Sequence, residues 1–455
     1  MNLTRSLYSL AMWLAQPVLR AKLRRRAVAE PAYAQHLPER FGFYESTSAH
    51  QRDMQGYVWI HAVSLGETRA AAILLAQLRP LLPGMRLLLT HGTATGRAEG
   101  AKLLQPGDVQ AWLPWDTRSA TAQFFKHFQP RIGMVMETEV WPNLCATASS
   151  AGVPMVLANA RLNDKSLRAA QRIAWLARPA YASFAQVWAQ TDADAQRLKL
   201  VGAINVSVQG NVKFDATPND AQVQLGRAWR TELQRPVVML ASSREGEESL
   251  FLEQIKAVVQ AVTAQQAINF VANASQLNVQ WLIVPRHPQR FDAVATLITQ
   301  AGFTVSRRSQ WPTHADAATL PVSLPAPLPA DVWLGDSLGE MALYYGLADC
   351  ALLGGSFAPL GGQNLIEAIA AGCPVVMGPH TFNFADAAST AQDQGAAKRV
   401  HDMHRGLEAA VHLTAHATQL LAMQRAGNHW LAASRGAAQR MARMSVAALR
   451  TSGSP

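Results

Sequence analysis

Three glutamates that follow apolar runs are the residues best suited to acid–base chemistry. Glu67 lies in the segment 61–68 (HAVSLGET), where Ser64 and Gly66 are small enough to let a substrate approach the backbone. Glu137 and Glu139 follow a second apolar run, and Trp-Pro comes after them. A carboxylate at the end of a buried strand can act as a general base, but it can also interact with the N-terminus of a helix. For Glu67 the residue pattern alone leaves both interpretations open.

The glycine-rich segment 354–379 has the composition of an anion site. Gly361, Gly362 and Asn364 open a predicted helix over 365–371, and Glu367 lies one turn inside it. The N–H groups and the macrodipole at a helix N-terminus favour a phosphate. A glutamate one turn further on can accept hydrogen bonds from ribose hydroxyls, so the segment indicates a nucleotide. The alternative is a capped helix with a solvated Glu367.

Other motifs restrict the chemistry further. Arg286 and His287 end an apolar run, where the arginine could clamp a phosphate or a carboxylate. Cys145, Cys350 and Cys373 lie far apart without CxxC spacing, so the sequence predicts neither a zinc site nor a disulfide framework, and a reducing compartment fits. The sequence contains no GxxxxGK[ST] motif, and no GxGxxG with a trailing acid follows the first strand. Both absences disfavour P-loop and dinucleotide-binding proteins.

These residues need a scaffold, and the apolar pattern predicts one of parallel strands. The chain has 455 residues, of which 49% are hydrophobic and 16% charged, so it is a globular protein of two or three domains. Short apolar runs alternate with helix-length segments, which is typical of α/β proteins. We expect two Rossmann-like domains with ligand between them, at the carboxyl ends of the strands. The expected strands are 57–63, 86–90, 109–113, 132–136, 153–158, 184–190 and 204–208, then 237–240, 280–284, 303–305, 332–334, 350–353 and 375–377.

The N-terminal segment combines an apolar stretch with basic residues. The formal net charge is +10, and residues 1–52 contain eight Lys or Arg and only three Glu. The apolar stretch 7–19 is shorter than the roughly 20 residues of a membrane-spanning helix. We favour an interfacial helix on an anionic membrane over a packing helix or a signal peptide, because the main basic cluster follows the apolar stretch. Nucleic acid is not an expected partner.

Eight sets of short motifs occur in a fixed order along the chain. They are WIHAVSLGE (59–67), METEVWPN (136–143), NARL (159–162), GNVKFD (210–215), ASSREGEE (241–248), PRHPQRF (285–291), GDSLGEM (335–341) and GGQNLIEA with GPHTFNF (361–368 and 378–384). In order and spacing the chain resembles the 3-deoxy-D-manno-octulosonic acid (Kdo) transferases of Gram-negative lipopolysaccharide assembly, from about residue 33 to about residue 400. It departs from the family pattern at Gln363, Leu365, Ser243 and Asn163, where His, Pro, Thr and Ser are expected.

The resemblance implies an α/β glycosyltransferase of the GT-B class, with two Rossmann-like domains facing a central cleft. It implies a metal-independent, inverting transfer of Kdo from CMP-Kdo to lipid IVA, with no cofactor, at the cytoplasmic face of the inner membrane. The protein would be peripheral or N-terminally anchored and would contact anionic lipid. The expected domains are a membrane-associating helix (1–30), an acceptor domain (31–215), a linker (216–236) and a CMP-Kdo-binding domain with C-terminal helices (237–455).

The resemblance also implies roles for individual residues. Glu67 would be the general base. The substrate-binding residues would be Ser64, Gly66, Glu137, Glu139, Arg161 and Lys213. The donor-nucleotide-binding residues would be Ser243, Arg244, Arg286, His287, Gly339, Glu340, Met341, Gly361, Gly362, Asn364 and Glu367.

Two other classes of protein are alternatives. A nucleotide-sugar epimerase also has two Rossmann-like domains and a glycine-rich helix N-terminus, but it would need no lipid acceptor. A scaffold protein at the inner membrane would leave the Glu67 loop unexplained. Preference for CMP over UDP separates the transferase from the epimerase, and lipid-dependent release of CMP separates it from the scaffold.

Overall fold

The computed structural model describes residues 3–45, 56–268, 279–311, 327 and 329–451. The chain forms two compact units, of which the first comprises Met1–Asp215 and Ser434–Pro455 and the second comprises Ala216–Ala433. Within the described residues, each unit contains a parallel sheet of seven strands with helices between consecutive strands. The predicted α/β class with two Rossmann-like units is therefore confirmed.

The sheet of the first unit has the order β3-β2-β1-β4-β5-β6-β7. Its strands are β1 (Tyr57–His61), β2 (Leu87–His91), β3 (Val109–Trp112), β4 (Pro130–Met136), β5 (Met155–Ala160), β6 (Gln186–Ala189) and β7 (Val206–Val208). Tyr57 and Trp59 of β1 pack into one apolar cluster, whereas Val58 and Ile60 pack into another. Because both faces of the sheet are covered, the strand reads as an unbroken apolar run.

The helices of the first unit surround this sheet. They are α1 (Leu3–Leu14), α2 (Gln16–Ala29), α3 (Leu65–Leu78), α4 (Ala94–Ala101), α5 (Arg118–Phe128), α6 (Pro142–Ser150), α7 (Asp164–Arg172), α8 (Ala174–Ala182), α9 (Asp192–Leu200) and α18 (Ala437–Thr451). The expected N-terminal helix is thus two helices, and Leu23 of α2 is buried against Tyr33 and Trp112. None of the helices in the described ranges combines the length and the apolar character needed to cross a membrane.

The C-terminal helix α18 belongs to the first unit, which differs from the expected domain 237–455. Met441 and Ala442 pack into the same apolar cluster as Leu74 of α3. Asp215 fixes the start of α18, because its carboxylate accepts hydrogen bonds from the N–H groups of Gly436 and Ala438. The sequence predicted helices here, but an Ala-rich helix carries little information about which sheet it covers.

The sheet of the second unit has the order β10-β11-β9-β8-β12-β13-β14. Its strands are β8 (Val237–Ser243), β9 (Gln280–Pro285), β10 (Val305–Arg307), β11 (Val332–Leu334), β12 (Cys350–Leu353), β13 (Val375–Met377) and β14 (Ala397–Arg399). Its helices are α10 (Asp220–Glu232), α11 (Glu247–Ile268), α12 (Phe291–Gln300), α13 (Met341–Leu347), α14 (Leu365–Ala370), α15 (Ala385–Asp393), α16 (Met403–Ala415) and α17 (Ala417–Ser434). The sequence analysis missed β14, an edge strand with two basic residues in its three positions.

The expected linker 216–236 is wrong in its central part, which forms helix α10. Val223, Gly226 and Trp229 recur every three residues and are buried. A Cβ on Gly226 would lie 2.2 Å from the carbonyl oxygen of Leu343, so the glycine allows α10 to pack directly on α13. The polar composition hid this apolar stripe, which is the pattern of an amphipathic helix.

Candidate active site

The loop between β1 and α3 holds Glu67 against its own backbone. The Ser64 side chain caps α3 by accepting a hydrogen bond from the Glu67 N–H at 3.4 Å. In return, the Glu67 carboxylate accepts hydrogen bonds from the Val63 N–H at 2.8 Å and from the Ser64 hydroxyl at 3.0 Å. This reciprocal arrangement resembles a capping box, so Glu67 does stabilise the start of α3, as the second of the two interpretations predicts.

The same glutamate has an unusual affinity for a proton. The pKa of Glu67 is raised to about 7, chiefly by burial and also by the charges of Glu137 and Glu139, although the hydrogen bonds from Val63 and Ser64 act in the opposite direction. A carboxylate whose pKa lies near neutrality can both lose and accept a proton at working pH. Capping and proton transfer are therefore compatible at this residue.

Glu137 lies at the carboxyl end of β4, in a left-handed backbone conformation with φ of 61°. Its side chain is buried between two cations: Arg161 Nε lies 2.8 Å from Oε2, and Lys213 Nζ lies 2.8 Å from Oε1. A side chain other than Gly or Asn seldom takes a positive φ, and such strain often occurs at functional sites. The Glu137 carboxylate is therefore held by an ion pair at each of its two oxygens.

Glu139 is held two residues further along, where its carboxylate accepts a hydrogen bond from Trp141 Nε1 at 2.9 Å. Burial raises the pKa of Glu139. Because both Glu137 and Glu139 contribute to the pKa of Glu67, the structure brings the three predicted glutamates together at one edge of the sheet. Arg161 and Lys213 join this group through Glu137, and Ser64 joins it through Glu67.

Gly66 has a different environment. It is exposed, and a Cβ at this position would meet only Ser64 Oγ, at 3.9 Å. No steric requirement of the described chain therefore explains the glycine. By contrast, Gly96 at the adjacent α4 start lies so close to the Glu67 loop that a Cβ would be 2.8 Å from the Val63 carbonyl oxygen.

Asp116 and Asn143 are two buried residues of this region that the sequence analysis did not single out as functional. The Asp116 carboxylate accepts hydrogen bonds from the N–H groups of Asn143 and Leu144, at 3.0 and 2.7 Å, and so fixes the start of α6. The Asn143 side chain donates to the Asp116 carbonyl oxygen at 2.7 Å. Asn143 ends the motif METEVWPN, which was the available signal.

In the second unit, a buried glutamate occupies the first part of the glycine-rich segment. The Glu247 carboxylate accepts hydrogen bonds from the N–H groups of Arg244, Gly355, Phe357 and Ala358, at 2.7–3.2 Å. A carboxylate of the chain itself therefore already satisfies the N–H groups of Gly355, Phe357 and Ala358, whereas the predicted anion site lies further along, at the helix N-terminus 361–364.

Two of the predicted donor residues, Ser243 and Glu340, have side-chain partners within the protein. Ser243 is buried and its hydroxyl donates to Glu248 at 2.9 Å, so it supports its own loop. Glu340 accepts a hydrogen bond from Arg308 at 2.8 Å, and Met341 begins α13 directly after it. Gly339 has a φ of 80°, a conformation that favours glycine.

Basic residues gather at the ends of β8 and β9. The Arg286 N–H donates to the Ser243 carbonyl oxygen at 3.0 Å, which ties the two strand ends together. The pKa of His287 is lowered by partial burial and by the charges of Arg244, Arg286 and Arg290. The three arginine charges that act on His287 give the strand ends a basic character, which suits a phosphate.

The loop before α14 is shaped by glycines. Gly361 has a φ of 88°, and a Cβ there would lie 2.5 Å from the Asn383 side chain. Asn364 caps α14 by accepting a hydrogen bond from the Ile366 N–H at 3.1 Å. Gly362 also has a positive φ, of 72°.

Glu367 and Arg286 lie close to the same buried tyrosine. Burial raises the pKa of Tyr345, the charge of Glu367 raises it further, and the charge of Arg286 lowers it. Two predicted donor residues from different loops therefore lie within electrostatic range of one side chain. Among the described residues, no group of three or more His, Cys, Asp or Glu side chains could hold a metal ion.

Comparisons with known proteins identify the family. A sequence profile described as 3-deoxy-D-manno-octulosonic-acid transferase (kdotransferase) matches residues 35–216. The chain is 44% identical to the 3-deoxy-D-manno-octulosonic acid transferase of Bordetella pertussis over 444 residues, which cover 96% of this chain and 97% of the relative. It is 31% identical to the Haemophilus influenzae enzyme of the same name, over 96% and 97% of the two chains.

Solved structures with low sequence identity share the fold. A glycosyltransferase from Rickettsia africae has a TM-score of 0.52 and 12% identity, and the match covers 88% of this chain and 99% of that one. A UDP-GlcNAc 2-epimerase from Neisseria meningitidis has a TM-score of 0.53 and 14% identity, over 87% and 100% of the two chains. The epimerase alternative therefore rests on the fold alone.

The two parallel Rossmann-like sheets give the chain the GT-B fold. The chain belongs to the 3-deoxy-D-manno-octulosonic acid (Kdo) transferase family, since it is 44% identical to a member over nearly its whole length.

Proposed function

We propose that this enzyme transfers Kdo from CMP-β-Kdo to the 6′-hydroxyl of lipid IVA, with inversion and without a metal ion, in lipopolysaccharide biosynthesis. The observation that carries the proposal is Glu67, a half-buried carboxylate at the start of α3 with a pKa of about 7. The names of the relatives support Kdo as the transferred sugar.

The proposed reaction is a single displacement. The acceptor oxygen forms a bond to the anomeric carbon, while the bond from that carbon to the CMP phosphate oxygen breaks and its electron pair leaves with CMP. The hydroxyl proton passes to the Glu67 carboxylate, which is a suitable acceptor because its pKa lies near working pH. Fixed positive charge stabilises the departing phosphate.

We assign that positive charge to the basic ends of β8 and β9. The charges of Arg244, Arg286 and Arg290 all lower the pKa of His287, so their combined potential is felt at this position. Arginine can bind a phosphate through two parallel hydrogen bonds. We assign Glu367 to the ribose hydroxyls and the Gly361–Gly362 loop to the space beside the phosphate.

The acceptor end is assigned to the first unit. Glu137 pairs with Arg161 and Lys213, and its charge acts on Glu67, so these two cations belong to the same group of residues. A guanidinium there suits an anionic group of the substrate. Arg161 is the better placed of the two, because 49% of its side chain is exposed, compared with 21% for Lys213.

We further propose that the enzyme is a peripheral protein of the cytoplasmic face of the inner membrane. Four large apolar side chains of α1 are exposed, namely Leu7, Leu10, Trp13 and Leu14. The following helix exposes the basic residues Arg20, Lys22, Arg24, Arg25 and Arg26. Apolar insertion combined with attraction to anionic lipid gives reversible attachment. Equal sedimentation of Trp13→Ser and wild-type protein with anionic vesicles would contradict this attachment.

Mass spectrometry of the product formed from lipid IVA and CMP-Kdo tests the transfer. We expect the mass of one or more Kdo residues to be added, with release of CMP only when lipid IVA is present, and activity to survive EDTA. Conversion of a UDP-sugar without a lipid acceptor would instead indicate an epimerase. A strict need for an added divalent ion would overturn the metal-free mechanism.

A further inference from the structure

Helix α1 is joined to the body of the first unit by two polar side chains on its inner face. The Tyr8 hydroxyl donates to the Asp116 carboxylate at 2.8 Å. The next residue, Ser9, is buried, and its hydroxyl lies 2.9 Å from the Asn143 amide oxygen. The outer face of the same helix exposes apolar residues such as Leu10 and Trp13, so one face binds the body of the unit and the other faces solvent.

The partners of Tyr8 and Ser9 are the residues that fix the start of α6. Asp116 already accepts the N–H groups of Asn143 and Leu144, and both Asp116 and Asn143 are almost fully buried, with 3% and 2% of their surface exposed. Burial raises the pKa of Asp116, whereas the hydrogen bonds from Asn143, Tyr8 and Leu144 act in the opposite direction and favour its charged form. The Tyr8 hydroxyl is therefore one of three hydrogen-bond donors that stabilise this buried carboxylate.

The start of α6 is also the end of the glutamate loop. Trp141 is the residue before α6, and its indole N–H holds Glu139 at 2.9 Å. Glu139 in turn contributes to the raised pKa of Glu67. A continuous set of hydrogen bonds and adjacent residues thus leads from Tyr8 through Asp116 and the α6 start to Trp141 and Glu139.

We propose that Tyr8 is a positioning residue for the transfer reaction, and that α1 aligns the loop 137–143 at the acceptor end of the site. Placement of α1 at a membrane surface is thereby coupled to the orientation of Glu139 and Trp141. The inference rests on the proposed function, since it concerns the acceptor of that same reaction. It assigns to α1 a role beyond attachment.

Amide hydrogen exchange of the full chain tests the alignment without any substrate. Tyr8→Phe keeps the ring and removes only the hydroxyl. We expect the amides of Asn143 and Leu144 to exchange roughly tenfold faster in this variant, because their common acceptor loses a partner. Tyr44→Phe is the matched control: the Tyr44 hydroxyl is buried in the same unit and has no hydrogen-bond partner among the described residues. Unchanged exchange at Asn143 and Leu144 in Tyr8→Phe overturns the proposal.

Steady-state kinetics in detergent test the consequence for the reaction. We expect Tyr8→Phe to raise the KM for lipid IVA by about 3–10-fold while the KM for CMP-Kdo stays within twofold, whereas a merely destabilised protein would lose active sites without this split. Ser9→Ala should act in the same direction, and it serves as the second variant should Tyr8→Phe fold poorly. Equal KM values for wild type and both variants would overturn the coupling. A wild-type chain without transfer activity would refute the proposed function instead, and the exchange result would still decide the alignment.

Discussion

The two units present their polar side chains in opposite ways. In the first unit, carboxylates gather at one sheet edge, and burial together with mutual repulsion raises the pKa of Glu67 to about 7. In the second unit, the buried Glu247 carboxylate accepts hydrogen bonds from backbone N–H groups. Partial burial and the charges of nearby arginines lower the pKa of His287. Under the proposed function, the first unit exchanges a proton and the second holds an anion.

The largest effect should follow from removing the proton acceptor. Glu67→Gln keeps the size of the side chain and can still accept one hydrogen bond from the loop, but it cannot take a proton. We expect turnover to fall by about 10²–10⁴-fold, the range of a single general base, with CMP and lipid affinities retained. Turnover, donor affinity and melting temperature measured on one preparation check this. Near-normal turnover in the folded variant would end the assignment.

The pH dependence sharpens the same test. For wild type, kcat/KM should rise with pH up to about 7, as Glu67 loses its proton, and then level off. Because the folded pKa lies above the ordinary value of 4.5, the neutral form stabilises the fold, and this stabilisation is lost as pH rises through about 7. Relative to Glu67→Gln, wild type should therefore become less stable between pH 5 and pH 8, a trend that chemical denaturation can follow.

In the second unit, removal of the anion-binding charge should have the next largest effect. Arg286→Ala is expected to lower kcat/KM for CMP-Kdo by about 10–100-fold, because a charge-assisted contact is worth about 1.5–3 kcal/mol. Arg286→Lys is the matched control, since it keeps the charge and loses only the bidentate geometry, and we expect it to retain an intermediate activity. Donor titrations with both variants measure the difference. An Ala variant with the donor affinity of wild type would remove Arg286 from the phosphate site.

Replacement of Glu247 should lower the free energy of unfolding and leave proton transfer unchanged. In Glu247→Gln one carboxylate oxygen becomes an NH₂ group facing backbone N–H donors, so we expect a loss of about 1–3 kcal/mol of unfolding free energy. Glu245→Gln is the matched control, because the Glu245 side chain is 87% exposed. Denaturant titration of both proteins checks the contrast. Equal stabilities would mean that the N–H groups find other acceptors.

Much of this arrangement could be predicted from the sequence. Each of the thirteen predicted strands overlaps a strand of the structure, although the predicted strand 303–305 shares only Val305 with β10, and motif order identified the family. The missed features have two physical origins. Helix α10 has its apolar stripe within a segment of polar composition. Helix α18 packs on the unit that is distant in sequence, and Glu247 accepts hydrogen bonds from N–H groups more than a hundred residues away, and such long-range contacts leave no periodic trace.

The smallest effect is expected for Gly66→Ala, which can distinguish a contact with substrate from a contribution to the stability of the first unit. Gly66→Ala adds a methyl group that meets only Ser64 Oγ, at 3.9 Å, and the position lies in α3 without a positive φ. We expect unfolding free energy to stay the same or to rise by up to about 1 kcal/mol, since alanine is the better helix former. Gly96→Ala should instead destabilise the fold, because its Cβ would lie 2.8 Å from the Val63 carbonyl oxygen.

If Gly66→Ala remains stable but raises the KM for lipid IVA, the acceptor approaches the backbone at this loop. Unaltered kinetics would leave Glu67 as the functional side chain of the loop and remove Gly66 from the substrate-binding residues.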